Sequence, residues 1–274
     1  MHWDTTRFRI DLRQPVVMGI VNLTPDSFSD GGVCDSPRAA LRHCEQLLRE
    51  GALMLDLGAE SSRPGAPRVP ADEEWRRLEP VLTGALSLGV PISIDTCKPQ
   101  VMQQALDLGA DVINDIHALT APGAEAVLAQ HPQAGVCLMH MRGDPASMQS
   151  LTQYADVVEE VKGYLAGRAN ALQRAGTAAA RIALDPGLGF AKSAAQNLRL
   201  SQCLPALALL GHPVLVGWSR KSTLGWITGR GVGERLAASV TAALLAAQQG
   251  AHVLRVHDVA PTVDALRVWR AAGQ

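Results

Sequence analysis

The chain has 274 residues, with 25 Lys and Arg against 26 Asp and Glu and a formal net charge of −1. That balance argues against a broad electrostatic footprint for nucleic acid or an anionic membrane. Apolar residues make up 47% and aromatic residues only 4%, so Val, Leu, Ile and Ala must fill a large core.

The segment before Val16 reads as a small hairpin closing the floor of a barrel. VVMGIVN (16–22) then begins a series of short apolar runs, and it ends in NLTPDSFSDGG (22–32), which has the chemistry of a mobile loop. Ser36 and Pro37 read as a helix N-cap and first residue, with Gly51 closing that helix. ALMLDLG (52–58) follows and runs into a second loop, ESSRPGAPRVP (60–70). A helix is expected over 71–89, then the run PISID (91–95), a helix from Pro99 to Gly109, and DVINDI (111–116). Pro122 opens the next helix, GVCLMHM (135–141) the next run, and 154–176 a longer helix weakened by Gly163 and Gly167. RIALDPG (181–187) precedes a helix from Ser193 to Leu210, bent near Pro205. PVLVGWS (213–219) leads to a short helix from Lys221 and a long apolar one over 233–250. AHVLRVHD (251–258) and a helix from Pro261 to about Arg270 complete the chain.

Continuous apolar runs fit strands buried on both faces of a parallel sheet. Eight of them alternating with helices predict an α/β fold, a (β/α)8 barrel, in one domain spanning residues 1–274. The active site of such a barrel lies where the strands end, so the polar residues there should meet at one mouth.

Asp95, Asn114 and Asp185 stand at the ends of the third, fourth and sixth runs. Each alone reads as a strand-end cap. Together they suit a flat ligand with several N–H donors, because buried carboxylates without partners are costly. Arg63, Lys221, Arg255 and His257 form a cationic set, and phosphates bind near strands seven and eight of these barrels. Surface solvation explains Arg68, Arg76 and Arg77 well, but explains Arg255 poorly because it sits inside an apolar run. Ser61, Ser62 and Ser222 add hydroxyl donors, and Asn22 with Asp30 offers oxygens to Mg2+. Five cysteines (Cys34, Cys44, Cys97, Cys137 and Cys203), with no C-x-x-C, point to a reducing cytoplasm. The charged N-terminus lacks the apolar stretch of a secretory signal, and no run is long enough for a membrane span.

TPDSFSDGG, ESSRPGA, SIDTCKP, VINDI, LMHM, LDPGLGF, GWSRKS and RVHD occur in an order that resembles the dihydropteroate synthase family over about residues 15–260. The resemblance implies a homodimeric, Mg2+-using, cytoplasmic alkyl (pterinylmethyl) transferase of folate synthesis, the target of sulfonamides. Its substrates would be 4-aminobenzoate and 7,8-dihydropterin-6-ylmethyl diphosphate, with no nucleic acid or membrane partner. Carried over residue by residue, it implies that Asp95, Asn114, Asp185, Lys221, Met139, Gly217 and Phe190 bind the pterin. Asn22, Ser61, Ser62, Arg63, Arg255 and His257 would take the diphosphate. Phe28, Pro64, Lys221 and Ser222 would frame the aminobenzoate, and Asn22 and Asp30 would hold Mg2+. Asp95, Lys221, Arg255, His257 and Arg63 would carry catalysis. Ser62, Ala59, Cys97, Leu188 and His117 depart from the usual pattern, His117 the most. A pterin-dependent methyltransferase and a non-catalytic pterin-binding subunit remain the rival readings. The first needs a corrinoid partner and no diphosphate clamp; the second would be expected to lose Arg63, Lys221 or His257.

Overall fold

The computed structural model describes residues 1–24, 36–63 and 65–273. Two short strands open the chain, β1 (His2–Asp4) and β2 (Arg9–Asp11), paired antiparallel with Trp3 opposite Ile10. Eight strands then form one parallel sheet: β3 (Val16–Asn22), β4 (Met54–Gly58), β5 (Ile92–Asp95), β6 (Val112–Asp115), β7 (Gly135–Met139), β8 (Ile182–Asp185), β9 (Leu215–Val216) and β10 (Val253–Val256). Their order is β8-β7-β6-β5-β4-β3-β10-β9. A parallel bridge between Leu184 and Val214 joins the two ends and closes the ring. The eight apolar runs are thus the eight strands of a (β/α)8 barrel.

The helices are α1 (Pro37–Arg49), α2 (Ala71–Ala85), α3 (Pro99–Leu108), α4 (Ala124–Gln130), α5 (Val157–Arg174), α6 (Ala194–Gln202), α7 (Leu204–Ala208), α8 (Ser222–Thr228), α9 (Leu236–Gln248) and α10 (Val259–Ala271). Several bounds differ from the sequence expectation for local reasons. The helix expected from Ser193 to Leu210 is two helices, broken at Cys203, because Pro205 has no N–H and is accommodated in the first turn of α7. α10 starts two residues before Pro261, which sits in a first turn whose N–H groups lack intrahelical partners anyway. Residues 232–234 form a separate 3-10 turn, so α9 begins at Leu236. Asp156 caps α5 by accepting from the Val158 and Glu159 amides, which trims that helix at its start.

Two apolar layers hold the barrel. The helices pack their buried faces on its outside, and a second cluster fills its lower interior. That inner cluster combines Met18, Met54, Val112, Cys137, Ala183, Leu215 and Val253 with Trp3, Ile10 and Leu12 of the hairpin. Trp3 is fully buried, and its indole N–H donates to the Arg181 carbonyl at 3.0 Å. Arg7 pairs with the buried Asp111 at 2.6 Å, tying the hairpin to the start of β6. The lower opening is therefore plugged by side chains.

Candidate active site

Strand alternation carries the inner face upward in steps of two residues. Two residues beyond the floor set come Asp56 on β4, Asn114 on β6, Met139 on β7, Asp185 on β8, Gly217 after β9 and Arg255 on β10. Asp95 at the end of β5 joins them. The parallel register fixes the neighbours, with Asp95 beside Gly58 on one side and Asn114 on the other.

Arg255 is the hub of this layer. Its Nε donates to Asp56 Oδ2 at 2.6 Å, and an Nη donates to Asp95 Oδ2 at 2.7 Å. Asn114 Nδ2 reaches the same Asp56 oxygen at 3.3 Å. Burial pushes the Asp95 carboxyl up to about 7, reinforced by the negative charges of Asp56, Glu74 and Asp115 and opposed by Arg255. Burial alone would lower the Arg255 guanidinium, but Asp56 and Asp95 outweigh it and hold it above its ordinary value.

Across the mouth, Asp185 and Lys221 form the second pole. Burial raises the Asp185 carboxyl, while the Gly187 N–H, donating at 2.7 Å, and the cations Lys221 and Arg255 pull it back. Lys221 caps the start of α8, and burial draws its ammonium down to about 8 against the attraction of Asp185 and Asp95. Its Nζ lies 4.0 Å from the Phe190 ring centroid, a cation–π contact. Met139 and Phe190 are buried in one small apolar cluster at this end.

His257 sits just beyond β10, with Nδ1 3.0 Å from Ser219 Oγ. Burial and the cations Arg220, Arg255, Arg63 and Lys221 drive its imidazole down to about 3, so the ring is neutral at physiological pH. The same pattern places Arg63 in the field of the mouth, with its backbone N–H donating to Ser61 Oγ at 3.3 Å. Asn22 ends β3, and Ser61 and Ser62 stand half-buried after β4. Ser222 is exposed at the first residue of α8. A cavity of about 300 Å³ extends outward from Asp95 between Ser62, Cys97 and His117. Cys97 is no nucleophile there, since burial and nearby carboxylates push its thiol up to about 12. The neck of the 60–70 loop is fixed, because Lys98 pairs with both Glu60 and the buried Glu74, and Glu60 accepts from the Val69 N–H at 2.7 Å.

Phe28, Asp30 and Pro64 lie outside the described residues, as does most of the 22–32 loop. No group of three or more His, Cys, Asp or Glu that could hold a metal occurs among the described residues. Asn22 supplies a neutral oxygen, which fits a Mg2+ that brings phosphate and water ligands with it. Sequence reasoning passed over Asp56, the buried partner of Arg255, and Arg220, which pairs with Asp258 at 2.8 Å on the rim. The signal for Asp56 was available. A carboxylate in the middle of ALMLDLG is two residues from Met54 and so must share its inward face.

The mouth therefore interleaves acceptors and cations, with Asp95 beside Arg255 at one pole and Asp185 near Lys221 at the other. The sequence matches the family described as pterin binding enzyme over residues 18–257. It is 51% identical to the dihydropteroate synthase of Neisseria meningitidis serogroup B, over 99% of this chain and 97% of that one. Among solved structures, the dihydropteroate synthase of Xanthomonas albilineans with 4-aminobenzoic acid superposes with a TM-score of 0.92, at 49% identity over 99% of this chain and 97% of that one. The Burkholderia cenocepacia dihydropteroate synthase complexed with 7,8-dihydropteroate has a TM-score of 0.89, at 45% identity over 99% and 96%. By sequence and by architecture, this chain belongs to the pterin binding enzymes, among the dihydropteroate synthases.

Proposed function

We propose that this chain joins 4-aminobenzoate to 7,8-dihydropterin-6-ylmethyl diphosphate, giving 7,8-dihydropteroate and diphosphate in folate biosynthesis. The observation that carries the reading is the ring of buried Asn114 and Asp185 with half-buried Asp95, Lys221 and Arg255 at the strand ends, in a chain 45% identical to one solved with 7,8-dihydropteroate. Asp95, Asn114 and Asp185 take the N–H edge of the pterin. Lys221, Met139, Gly217 and Phe190 frame its face and remaining edge.

The carbon–oxygen bond to diphosphate breaks first, and the electron pair leaves with the diphosphate. The electron-rich ring delocalises the resulting cation, and ionised Asp95 and Asp185 favour it in a low-dielectric pocket. The aromatic amine then attacks that carbon and forms the C–N bond, and the proton on its nitrogen passes to the released diphosphate or to water. A neutral arylamine needs no strong base, consistent with a His257 imidazole made weakly basic by burial and neighbouring cations. Arg63, Ser61, Ser62 and His257 hold the leaving diphosphate, with Arg255 bridging to the pterin side. Asn22 and Asp30 would hold a Mg2+, whose charge offsets that of the diphosphate. Phe28, Pro64, Lys221 and Ser222 receive the aminobenzoate.

The assay is diphosphate release with and without Mg2+ and 4-aminobenzoate. The reading expects Mg2+-dependent release coupled to formation of dihydropteroate. Absence of that product with both substrates present would contradict it.

A homodimer is also proposed. Trp226 and Ile227 of α8 and Leu236 and Leu245 of α9, a helix with no charged side chain, leave an exposed apolar face. Leu245→Glu should dissociate the dimer in ultracentrifugation, and a dimer that survives the change contradicts this surface. No helix is long and apolar enough to cross a membrane among the described residues. Cys97, Cys137 and Cys203 are thiols outside any disulfide, which supports a cytoplasmic location.

A further inference from the structure

Lys192 is one of only four lysines in the chain, and it is 3% exposed. It follows the LDPGLGF segment, between β8 and α6, and forms no ion pair among the described residues. Its Nζ instead faces three carbonyl oxygens: Phe190 at 2.9 Å, Gly187 at 3.0 Å and His140 at 3.2 Å. His140 Nδ1 completes the shell at 3.0 Å. Burial drives the His140 imidazole down to about 3, so the ring is neutral and its Nδ1 accepts from the lysine. Four acceptors around one nitrogen form a cage of the kind that holds a small cation, with the cation supplied by the chain itself.

The cage closes around an unusual backbone. Gly187, Gly189 and Ala191 all have positive φ, at 67°, 83° and 52°. A Cβ at Gly187 would collide with the same His140 carbonyl that Lys192 engages. Left-handed backbone at a non-glycine residue persists only where its surroundings hold it. This short segment also supplies three contacts to the mouth. The Gly187 amide donates to Asp185, Phe190 lies beneath the Lys221 ammonium, and Gly189 passes against the Lys221 side chain. From the other side, Asn197 accepts from the Gly189 amide at 2.8 Å and donates to Thr223 of α8 at 2.9 Å.

We infer that Lys192 is a positioning residue: by drawing the His140, Gly187 and Phe190 carbonyls onto one ammonium, it fixes the loop that sets Asp185, Phe190 and Lys221 around the pterin. This rests on the synthase reading given above. Burial pulls the ammonium down to about 7, helped by the charges of Lys221 and Arg142 and opposed by that of Asp185. The consequence is selective. Removing the ammonium should leave three buried carbonyls short of a donor and release the loop, while the floor of the barrel is untouched.

The test uses the full chain as wild type, Lys192→Met, Lys192→Gln and Lys192→Ala. Wild-type turnover with both substrates is run first, and its absence overturns the synthase reading alone, since hydrogen exchange reads the loop without activity. In Lys192→Met, amides of 187–192 should exchange at least tenfold faster than in wild type, with β1 and β2 unchanged. KM for the pterin diphosphate should rise about tenfold or more, while KM for 4-aminobenzoate moves less than threefold. Propylammonium should restore much of the pterin KM in Lys192→Ala, and tetramethylammonium, which has no N–H, should not. The inference is overturned by unchanged exchange over 187–192, by equal changes in both KM values, or by loss of protection across the whole barrel. Failure of all three variants to fold also overturns it, because Lys192 would then support the fold rather than the site.

Discussion

The two ends of this barrel are built from the same strands and have opposite chemistry. At the floor, the inward residues are Met18, Met54, Val112, Cys137, Ala183, Leu215 and Val253, closed by Trp3, Ile10 and Leu12. One step up the same faces, they are Asp56, Asn114, Asp185 and Arg255, with Asp95 and Lys221 beside them. The floor gains stability from burying apolar surface. The mouth spends some of it, because desolvated charges are held for a substrate that is absent between turnovers. The two ends should therefore respond in opposite ways to mutation.

The largest effect is expected where the mouth is also structural. Arg255→Met leaves the fully buried Asp56 and its neighbour Asp95 without their shared cation. Loss of about 3–5 kcal/mol of stability is expected from breaking a buried pair in this way. Denaturant unfolding checks it, and synthase activity should be lost as well. Trp3→Ala at the floor should also cost about 3–5 kcal/mol through cavity formation, yet leave kcat and both KM values near wild type at a temperature where it is folded. A matching loss of kcat would erase the distinction between the ends.

Lys221→Met is the reverse case. Turnover should fall by about 10²–10³, as for deletion of one electrostatic donor. Stability should hold or rise, since a buried ammonium is replaced by an apolar chain of similar length. Thermal unfolding together with steady-state kinetics separates the two quantities.

The smallest effect is in pH dependence. Asp95 titrates in the folded protein near 7, above its unfolded value, so its contribution to stability is full below about 4 and is lost as pH rises through 7. Lys221 is shifted the other way, to about 8, so its contribution is full above about 10.4 and is lost as pH falls through 8. Both groups are charged, and both destabilise, in the window between 7 and 8, where the chemistry needs them charged. A bell-shaped profile of kcat/KM for the pterin substrate is expected, with limbs near those values. Asp95→Asn should remove the acidic limb, and a limb that persists in this variant would assign it to another group.

The strand frame was legible because buried parallel strands leave unbroken apolar runs, and each run ended where the chain turned polar. Asp95, Asn114, Asp185 and Lys221 could be placed at one mouth from that rule alone, and Arg255 stood out as a charge inside an apolar run. Helix bounds were less legible. Proline position, as at Pro205 and Pro261, decides them by a residue or two in ways that periodicity does not record. Asp56 was overlooked because it lies inside a run rather than at its end, although counting by twos from Met54 points it inward. Lys192 left no such trace. Its burial depends on three backbone carbonyls brought together by a loop with left-handed residues, and a lone lysine beside Ser193 reads as surface.

The central claim is that the mouth stabilises a pterinylmethyl cation formed by departure of diphosphate before the amine attacks. Positional isotope exchange tests it most directly, using pterin diphosphate labelled with oxygen-18 at the bridging position and no 4-aminobenzoate. The account predicts that the wild-type protein scrambles the label into the non-bridging oxygens, and that Asp95→Asn does so more slowly. Active wild-type protein that turns over both substrates and leaves the bridging label in place would contradict it.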